Sequence, residues 1–237
     1  MEILPGIDII DNALAIGDTL VICDLHIGAE ESLNKQGYMI PRFQFIEMRD
    51  RLLKLIEDKE FKTVVINGDL KHEFGTISES EWKNTLKLLE TISHYCPKTV
   101  LVKGNHDTIL GPIAYQTAVE VQDHYAVGDI LICHGDKIPY GPSLSNAKTV
   151  IIGHEHPAIS LRRSGRVESF KCFLKGSYRD KSLIVMPSFN TMTAGSNVLK
   201  ERTLSPFLEQ GTDRFEVFAL GDKVYQFGRV STLKSLC

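Results

Sequence analysis

The chain has 237 residues, a formal net charge of -3, 43% hydrophobic residues and 24% charged residues. This composition is typical of a globular protein with a real core, and it excludes a disordered or fibrous chain. The slight negative charge argues against a protein that coats nucleic acid with Lys and Arg, although a pair of divalent cations could still attract a phosphate substrate.

The cysteine pattern and the N-terminal segment indicate a reducing compartment. The five cysteines are odd in number and scattered, without the C-x-x-C spacing of zinc ribbons or redox motifs. No basic region precedes a long apolar stretch at the start, and no apolar run reaches the roughly 18 residues of a membrane span. We therefore expect a cytoplasmic protein with reduced cysteines that folds as one domain over residues 1–237.

The first half of the chain alternates strands with helices. Strands are predicted at 14–16, 20–23, 63–67 and 99–103, and helices at 41–59 and 78–94. The first two strands form a hairpin around a Gly17-Asp18 turn. Pro41 opens the first helix, and Ser78 and Glu81 are placed as a capping box for the second.

Short strands separated by Gly, Pro or charged turns dominate the second half. They are predicted at 118–121, 130–133, 149–152, 158–161, 167–173, 183–186, 215–220 and 224–227. The last two form a hairpin around Gly221-Asp222. The expected fold is α/β, a two-sheet mixed β-sandwich flanked by helices. The polar, turn-rich stretch 191–211 is predicted to be a loop over the site.

Polar residues follow five of the predicted strands at the point where each strand ends. The motifs are Asp24-Leu25-His26, Gly68-Asp69, Gly104-Asn105-His106-Asp107, His134-Gly135-Asp136 and Gly153-His154-Glu155-His156. The carboxyl ends of strands in an α/β sheet meet at one edge, so we expect these side chains to lie together there. Side chains two apart on an extended segment share a face, so Asp24 and His26 are expected to point at one ion.

Metal binding explains these residue types better than any other interpretation. Imidazole and carboxylate together suit Mn, Fe, Zn, Ni or Co, whereas Mg and Ca sites are built mainly from oxygen. One carboxylate can bridge two ions about 3.5–4 Å apart, and such a pair lowers the pKa of water and positions a phosphoryl displacement. Gly68, Gly104, Gly135 and Gly153 would let the chain turn sharply where a side chain would collide.

Each motif alone also has a less specific interpretation. A single Asp-x-His at a strand end is more often a turn or a surface group, and Gly-Asn-His-Asp is more often a turn. Gly-His-Glu-His is more specific. The combination of all five motifs, with six of the eight histidines at or next to them, favours a metal site.

Several groups outside the motifs have a structural interpretation. His94 and His124 are predicted to be surface or partly buried structural residues. Trp82 is predicted to pack a helix onto the sheet, with nucleobase stacking as the alternative. Arg162, Arg163 and Arg166 are interpreted as a solvated hairpin tip, with a phosphate-binding patch as the alternative.

In their order, the five motifs resemble the calcineurin-like metallophosphoesterase superfamily from residue 24 to residue 156. Further along, Pro157, Cys172-Phe173-Leu174 and Pro187-Ser188-Phe189 resemble a branch of archaeal proteins and bacterial DNA-ligase-associated phosphoesterases. The resemblance implies the two-sheet fold of that superfamily.

The resemblance also implies a role for each motif residue. One metal ion would be held by Asp24, His26 and His156, the other by Asn105, His134 and His154, and Asp69 would bridge them. His106 would coordinate neither ion and would be a catalytic residue near the scissile phosphate, where it would stabilise charge or protonate the leaving oxygen, with Asp107 orienting its ring. Where many members carry an acidic residue after the bridging Asp, this chain has Lys71, His72 and Glu73, so that segment receives no role.

The expected activity is hydrolysis of phosphodiester bonds with two divalent metal ions, for which Mn is the first candidate and Fe, Zn, Ni or Co are alternatives. The ligase-associated branch suggests a nuclease acting on single-stranded DNA or RNA. Hydrolysis of small phosphodiesters or nucleotides is an alternative within the same chemistry. A metal-binding interaction module without turnover is an alternative of another class, although such a module should lack a ligand or the catalytic His, and none is missing here.

Overall fold

Two mixed β-sheets face each other and helices cover their outer sides, as the sequence predicts. The computed structural model describes residues 1–75, 77–108, 110–117, 119–163 and 166–235, apart from the side chains of Arg162 and Arg163. Within these ranges, no helix combines the length and the apolar character that a membrane crossing needs.

The first sheet has seven strands and changes from antiparallel to parallel across its width. In spatial and chain order they are β1 (Glu2–Leu4), β2 (Ile7–Ile10), β3 (Ala13–Ile16), β4 (Thr19–Ile22), β5 (Thr63–Asn67), β6 (Lys98–Val102) and β7 (Glu120–Gln122). Strands β1 to β4 pair antiparallel, and β4 to β7 pair parallel. The predicted hairpin and the next two strands are confirmed, whereas β1 and β2 are additional. Ala118, in the predicted strand 118–121, lies outside the described residues.

The second sheet has nine strands within the described ranges. They are β8 (Tyr125–Val127), β9 (Ile130–Ile132), β10 (Thr149–Ile152), β11 (Pro157–Arg163), β12 (Arg166–Tyr178), β13 (Lys181–Val185), β14 (Ser196–Asn197), β15 (Glu216–Leu220) and β16 (Val224–Arg229). The spatial order is β14-β11-β12-β13-β10-β9-β8, and β15 pairs with both β12 and β16. Strand β10 runs parallel to both neighbours, β9 and β13, so it resembles the central strands of the first sheet.

Two long helices and several short ones cover the sheets. The helices are α1 (Ala29–Lys35), α2 (Gln44–Asp58), α3 (Glu79–Tyr95), α4 (Gly111–Thr117), α5 (Pro142–Asn146) and α6 (Val230–Lys234), with a 3-10 helix at Pro206–Leu208. Helices α2 and α3 confirm the two predicted helices, although α2 begins three residues after Pro41. The capping box is also confirmed, because the Ser78 hydroxyl accepts from Glu81 N–H and the Glu81 carboxylate accepts from Ser78 N–H.

Alternating side chains divide the interior into three apolar layers. In β4, Leu20 faces the core shared with α2 and α3, whereas Val21 lies between the two sheets. In β10, Ile151 lies in the same central layer, and Val150 faces the outer core beneath the 3-10 helix. Since both strands are buried on both faces, the residues at their carboxyl ends start from a rigid support.

Residues outside the motifs agree with the structural interpretation. Trp82 is partly buried against the core of α2 and α3. His94 is exposed, and His124 is half-buried with Nε2 2.8 Å from Ser143 Oγ.

The thiols and the basic hairpin tip are described in part. Cys23, Cys96, Cys133 and Cys172 are buried and free, and Cys237 lies outside the described residues. Arg166 is exposed at the end of the β11–β12 hairpin, where the side chains of Arg162 and Arg163 are not described.

Candidate metal centre

Every predicted motif begins within two residues of a strand end, in strands β4, β5 and β6 of the first sheet and β9 and β10 of the second. The sheets meet directly at this edge. Asn67 Nδ2, at the end of β5, donates to the carbonyl oxygen of Cys133 after β9 at 3.0 Å. The backbone N–H of His154 donates to the carboxylate of Asp24 at 3.0 Å. The structure therefore brings motifs from both sheets into one cluster.

Left-handed backbone, rather than an extended segment, aims these side chains. Positive φ angles between 46° and 66° occur at Asp24, His26, Asp69, His154 and His156. The expectation that Asp24 and His26 share the face of an extended segment is therefore wrong, although both reach the same cluster. A non-glycine residue in this conformation costs on the order of 1–3 kcal/mol, so the surrounding structure must hold it in place.

All four glycines of the motifs lie where a side chain would collide. A Cβ atom at Gly68 would meet the imidazole of His134, and one at Gly104 or Gly153 would meet the carboxylate of Asp69 or Asp24. At Gly135 it would meet Ile152. The predicted need for glycine at the four positions is confirmed, because the backbone approaches other groups closely there.

Asp24, His26 and His156 form the first cluster. The Nε2 atoms of His26 and His156 lie 3.3 Å apart, and His156 Nε2 lies 3.3 Å from Asp24 Oδ1. One donor atom from each residue lies within 4.8 Å of the other two. Two ring nitrogens and a carboxylate oxygen converging in this way fit a divalent cation, which would use all three as ligands.

The second cluster consists of Asp69, His134 and His154. One donor atom from each of them lies within 4.8 Å of the other two. Asn105 joins them, because its Oδ1 lies 3.0 Å from His134 Nε2. The ring of His154 stands nearly perpendicular to that of His134, with centroids 5.0 Å apart. This mixture of nitrogen and oxygen donors fits a second divalent cation.

The carboxylate of Asp69 lies between the two clusters. Its Oδ2 atom is 3.7 Å from His26 Nε2 and 3.4 Å from His134 Nε2. Its Oδ1 atom accepts a hydrogen bond of 2.9 Å from the backbone N–H of His106, which fixes the carboxylate plane. A carboxylate held in this position can serve two cations at once.

Burial and mutual charge shift the pKa values within the cluster. Burial lowers the pKa of His26 to about 4, which keeps its imidazole neutral and able to bind a metal. Burial alone would raise the pKa of Asp24, but the imidazoles of His156, His134 and His26 hold it well below its ordinary value. Burial also opposes protonation of His134, yet Asp69 and Asp24 raise its pKa to about 9. The buried carboxylates thus stabilise positive charge beside them. A divalent cation would interact with them more strongly than a single imidazolium does.

His106 lies beside His26, and a backbone carbonyl orients its ring. Ring Nδ1 lies 2.5 Å from the carbonyl oxygen of His72. Nδ1–H therefore donates to that carbonyl, and Nε2 faces the cluster, 3.9 Å from Asp69 Oδ2. The exposed ring of Phe74 packs on His106 with centroids 3.7 Å apart. His26, His72 and His106 form a third group within metal-binding distance, so His72 belongs to the site although the resemblance gives it no role.

Asp107 has different partners from the expected one. Its buried carboxylate accepts hydrogen bonds from the backbone N–H groups of Gly104 at 3.0 Å, Leu70 at 3.4 Å and Lys71 at 3.5 Å. Burial raises the pKa of this carboxyl to about 6. Asp107 therefore ties the loop after β6 to the loop after β5, and the His72 carbonyl replaces it as the partner of the His106 ring.

Two further residues hold the loops of the site. Oε1 of the fully buried Glu81 accepts from the N–H groups of His72 at 2.8 Å and Glu73 at 3.1 Å. Asn190 Nδ2 donates to the carbonyl oxygen of Asp24 at 3.2 Å. In the sequence, the capping-box pattern identifies Glu81 as a helix-capping residue. The pattern does not predict the hydrogen bonds that Glu81 also accepts from the N–H groups of His72 and Glu73.

The segment 191–211 borders the site and is partly ordered as strand and 3-10 helix. Strand β14 pairs with the start of β11, and Ser196 N–H donates to the carbonyl oxygen of His156 at 2.8 Å. The Glu155 carboxylate accepts from Leu204 N–H at 2.7 Å. The predicted loop is therefore packed against the last motif.

Residues 17–208 match the model of the calcineurin-like phosphoesterase family. Among solved structures, the chain is similar to Pseudomonas putida nuclease MPE, with 21% identity, 92% of each chain covered and a TM-score of 0.65. It is 16% identical to the phosphoesterase YfcE from E. coli, covering 89% of this chain and 98% of that one, with a TM-score of 0.43. At 21% identity, the likeness to the nuclease shows the fold alone. No curated protein matches the chain significantly.

Glu81→Ala should destabilise the protein and free the segment that orients His106, because the backbone N–H groups of His72, Glu73 and Ser78 lose their carboxylate acceptor. The expected loss of unfolding free energy is about 1–3 kcal/mol, measured by urea denaturation. Amide hydrogen exchange at His72 and Glu73 should accelerate. Glu79→Ala removes an exposed carboxylate from the same helical turn, so it should change the unfolding free energy much less. Equal effects of the two substitutions would contradict the assignment.

Proposed function

This chain belongs to the calcineurin-like phosphoesterase family, and we propose that it is a two-metal phosphodiesterase whose substrate is single-stranded DNA or RNA. The position of Asp69 carries the proposal. Its Oδ2 atom lies 3.7 Å from His26 Nε2 and 3.4 Å from His134 Nε2. Since these imidazoles belong to separate clusters, a cation in each cluster would share the carboxylate.

The ligand set divides between two ions. The first would be held by Asp24, His26 and His156, the second by Asn105, His134 and His154, and both by Asp69. When bound, two divalent ions lower the pKa of water and neutralise phosphate charge. Nitrogen and oxygen donors together favour a transition metal, and we propose Mn, with Fe, Zn, Ni or Co as alternatives.

His106 is proposed to act on the leaving group. Its Nδ1–H is held by the His72 carbonyl, so Nε2 is the ring atom that faces the cluster. In the imidazolium form, Nε2–H can stabilise negative charge on the phosphate and pass its proton to the leaving oxygen as the ester bond breaks. Phe74 packs against the His106 ring and restricts its movement.

Single-stranded nucleic acid is the substrate class that the chain favours. The solved nuclease from P. putida shares the fold over 92% of its length. A net charge of -3 gives little support for binding a long duplex backbone, whereas a flexible strand can enter a site at the edge of the sheets. Small phosphodiesters or nucleotides could use the same centre, and an interaction module would bind metal without turnover.

The cell compartment and the domain organisation are proposed on separate grounds. Four buried free thiols suit a reducing, cytoplasmic compartment. The two sheets share one apolar layer, which supports a single domain over residues 1–237.

The Mn-loaded protein should hydrolyse bis-p-nitrophenyl phosphate faster than p-nitrophenyl phosphate, and it should cleave labelled single-stranded DNA or RNA faster than blunt duplex. The reason is that the proposed site takes diesters and requires a flexible strand. The assays are run at physiological salt, with cyclic nucleotides as the small-diester arm. Equal cleavage of duplex and single strands would refute the strand preference. Metal binding with no turnover on any substrate would favour the interaction module.

Asp69→Asn should weaken both metal sites, because an amide cannot offer one anionic oxygen to two cations. Loss of affinity should exceed the roughly 10–100-fold that follows removal of an outer partner, as measured by metal titration and elemental analysis. His26→Ala should weaken one site, and Asp136→Asn, outside the ligand set, should weaken neither. Loss of a single ion in Asp69→Asn would mean that this carboxylate does not bridge.

His106→Ala should keep both ions and lose about 10²–10⁴-fold in turnover, the usual contribution of one positioned acid. Rates on bis-p-nitrophenyl phosphate are measured together with metal stoichiometry, and His94→Ala, an exposed histidine, is the control. Activity lost in His154→Ala should recover in part with excess Mn, whereas that lost in His106→Ala should not. A missing ion in His106→Ala would instead make this residue a ligand, as the third histidine group allows.

A further inference from the structure

Two clefts share one wall, and the first of them adjoins the second cluster at His134. The first, of about 550 Å³, reaches from His134 to Tyr140, and its lining includes Asp136, Lys137 and Pro206. The second, of about 610 Å³, continues from Tyr140 to Arg179. Each volume falls within the range of small-molecule sites. Their common wall is formed by Ile138, Pro139 and Tyr140.

Tyr140 projects from this wall into solvent. It is 97% exposed, so its ring contributes little to the packing of its own chain. Pro139 precedes it, Gly141 follows as the N-cap of α5, and Pro142 is the first residue of that helix. Proline fixes φ, so the loop presents the aromatic ring at a low cost in conformational entropy.

The polar groups of the two clefts differ. The first cleft contains Asp136 and Lys137 and also Asp123, which pairs with Lys103 at 3.3 Å. Carboxylates of this kind repel a phosphate, but they can accept hydrogen bonds from the amino groups of a nucleobase. The second cleft contains the exposed Arg179, whose guanidinium can pair with a phosphate or stack on a base.

We propose that Tyr140 is a stacking platform for the bases of a single strand whose scissile phosphate lies at the metal centre. The inference rests on the proposed function and extends it to strand recognition. One nucleotide next to the scissile bond occupies the first cleft, with its base against Tyr140 and its amino groups toward Asp136. The strand then passes over the Tyr140 ring into the second cleft, where Arg179 meets it.

Stacking explains why the strand must be single. Every base has a face that can stack on an aromatic ring, so the platform tolerates any sequence. A base in a duplex already stacks on its neighbours and must leave them first. Loss of one such platform lowers affinity by roughly 5- to 150-fold.

The test compares Tyr140→Ala and Tyr140→Phe with Tyr95→Ala. Tyr95 is 45% exposed at the end of α3, and this helix runs back from the strand ends, so the control removes an aromatic ring far from the site. Because Tyr140 is exposed, its replacement should change the unfolding free energy little. Affinity for a labelled single-stranded oligonucleotide is read by fluorescence anisotropy with Mn present, and every variant is made in a His106→Ala background, in which turnover is slow. Affinity for an abasic strand of equal length is measured in parallel.

Tyr140→Ala should bind the normal strand roughly 5- to 150-fold more weakly and the abasic strand unchanged, while Tyr140→Phe and Tyr95→Ala stay close to the parent. An equal loss on normal and abasic strands, or the same loss in Tyr95→Ala, would overturn the platform. If the parent binds the strand but cleaves no diester with metal, the phosphodiesterase proposal fails while the platform stands.

Discussion

Two carboxylates buried close together constrain the rest of this structure. Asp24 is 0% exposed and Asp69 is 2% exposed, and removing an ionised carboxylate from water costs several kcal/mol unless positive charge compensates it. His134 contacts both, with Nδ1 3.7 Å from Asp24 and Nε2 3.4 Å from Asp69. One imidazolium cannot neutralise two carboxylates. Divalent cations can, so the buried charges and the proposed metal pair account for each other.

The same constraint accounts for the strained backbone. Left-handed turns at Asp24 and His26 point both side chains at the cluster, at a cost of order 1–3 kcal/mol each. Backbone hydrogen bonds between the loops after β4 and β5 offset this cost, since Asp24 N–H donates to the carbonyl oxygen of Gly68 at 3.1 Å and His26 N–H to the carbonyl oxygen of Asp69 at 2.9 Å. Asn190 binds the Asp24 carbonyl from the other side. The loops therefore fix the proposed ligands by hydrogen bonds within the protein.

Much of the fold could be predicted because buried parallel strands are continuous apolar runs, as in Thr63–Asn67, and because their ends carry the motifs. Helix α1 could not be predicted, since it has seven residues and its N-cap Gly28 offers no side-chain acceptor.

At the site, the residue types and their order were sufficient to predict that the proposed ligands lie together. The partner of the His106 ring was not predictable, because it is the backbone carbonyl of His72, and tertiary packing alone places a carbonyl. Asp107 was misassigned for the same reason.

The site also depends on both sheets at once. The first sheet supplies Asp24 and Asp69, and the second supplies His134 and His156. The first sheet also carries His26, but the second cluster takes both of its imidazoles, His134 and His154, from the second sheet. The apolar layer between the sheets, which contains Val65 and Ile151, therefore does more than stabilise the fold. It sets the separation between the two groups of ligands, and because packed interiors resist small displacements, it sets that separation rigidly.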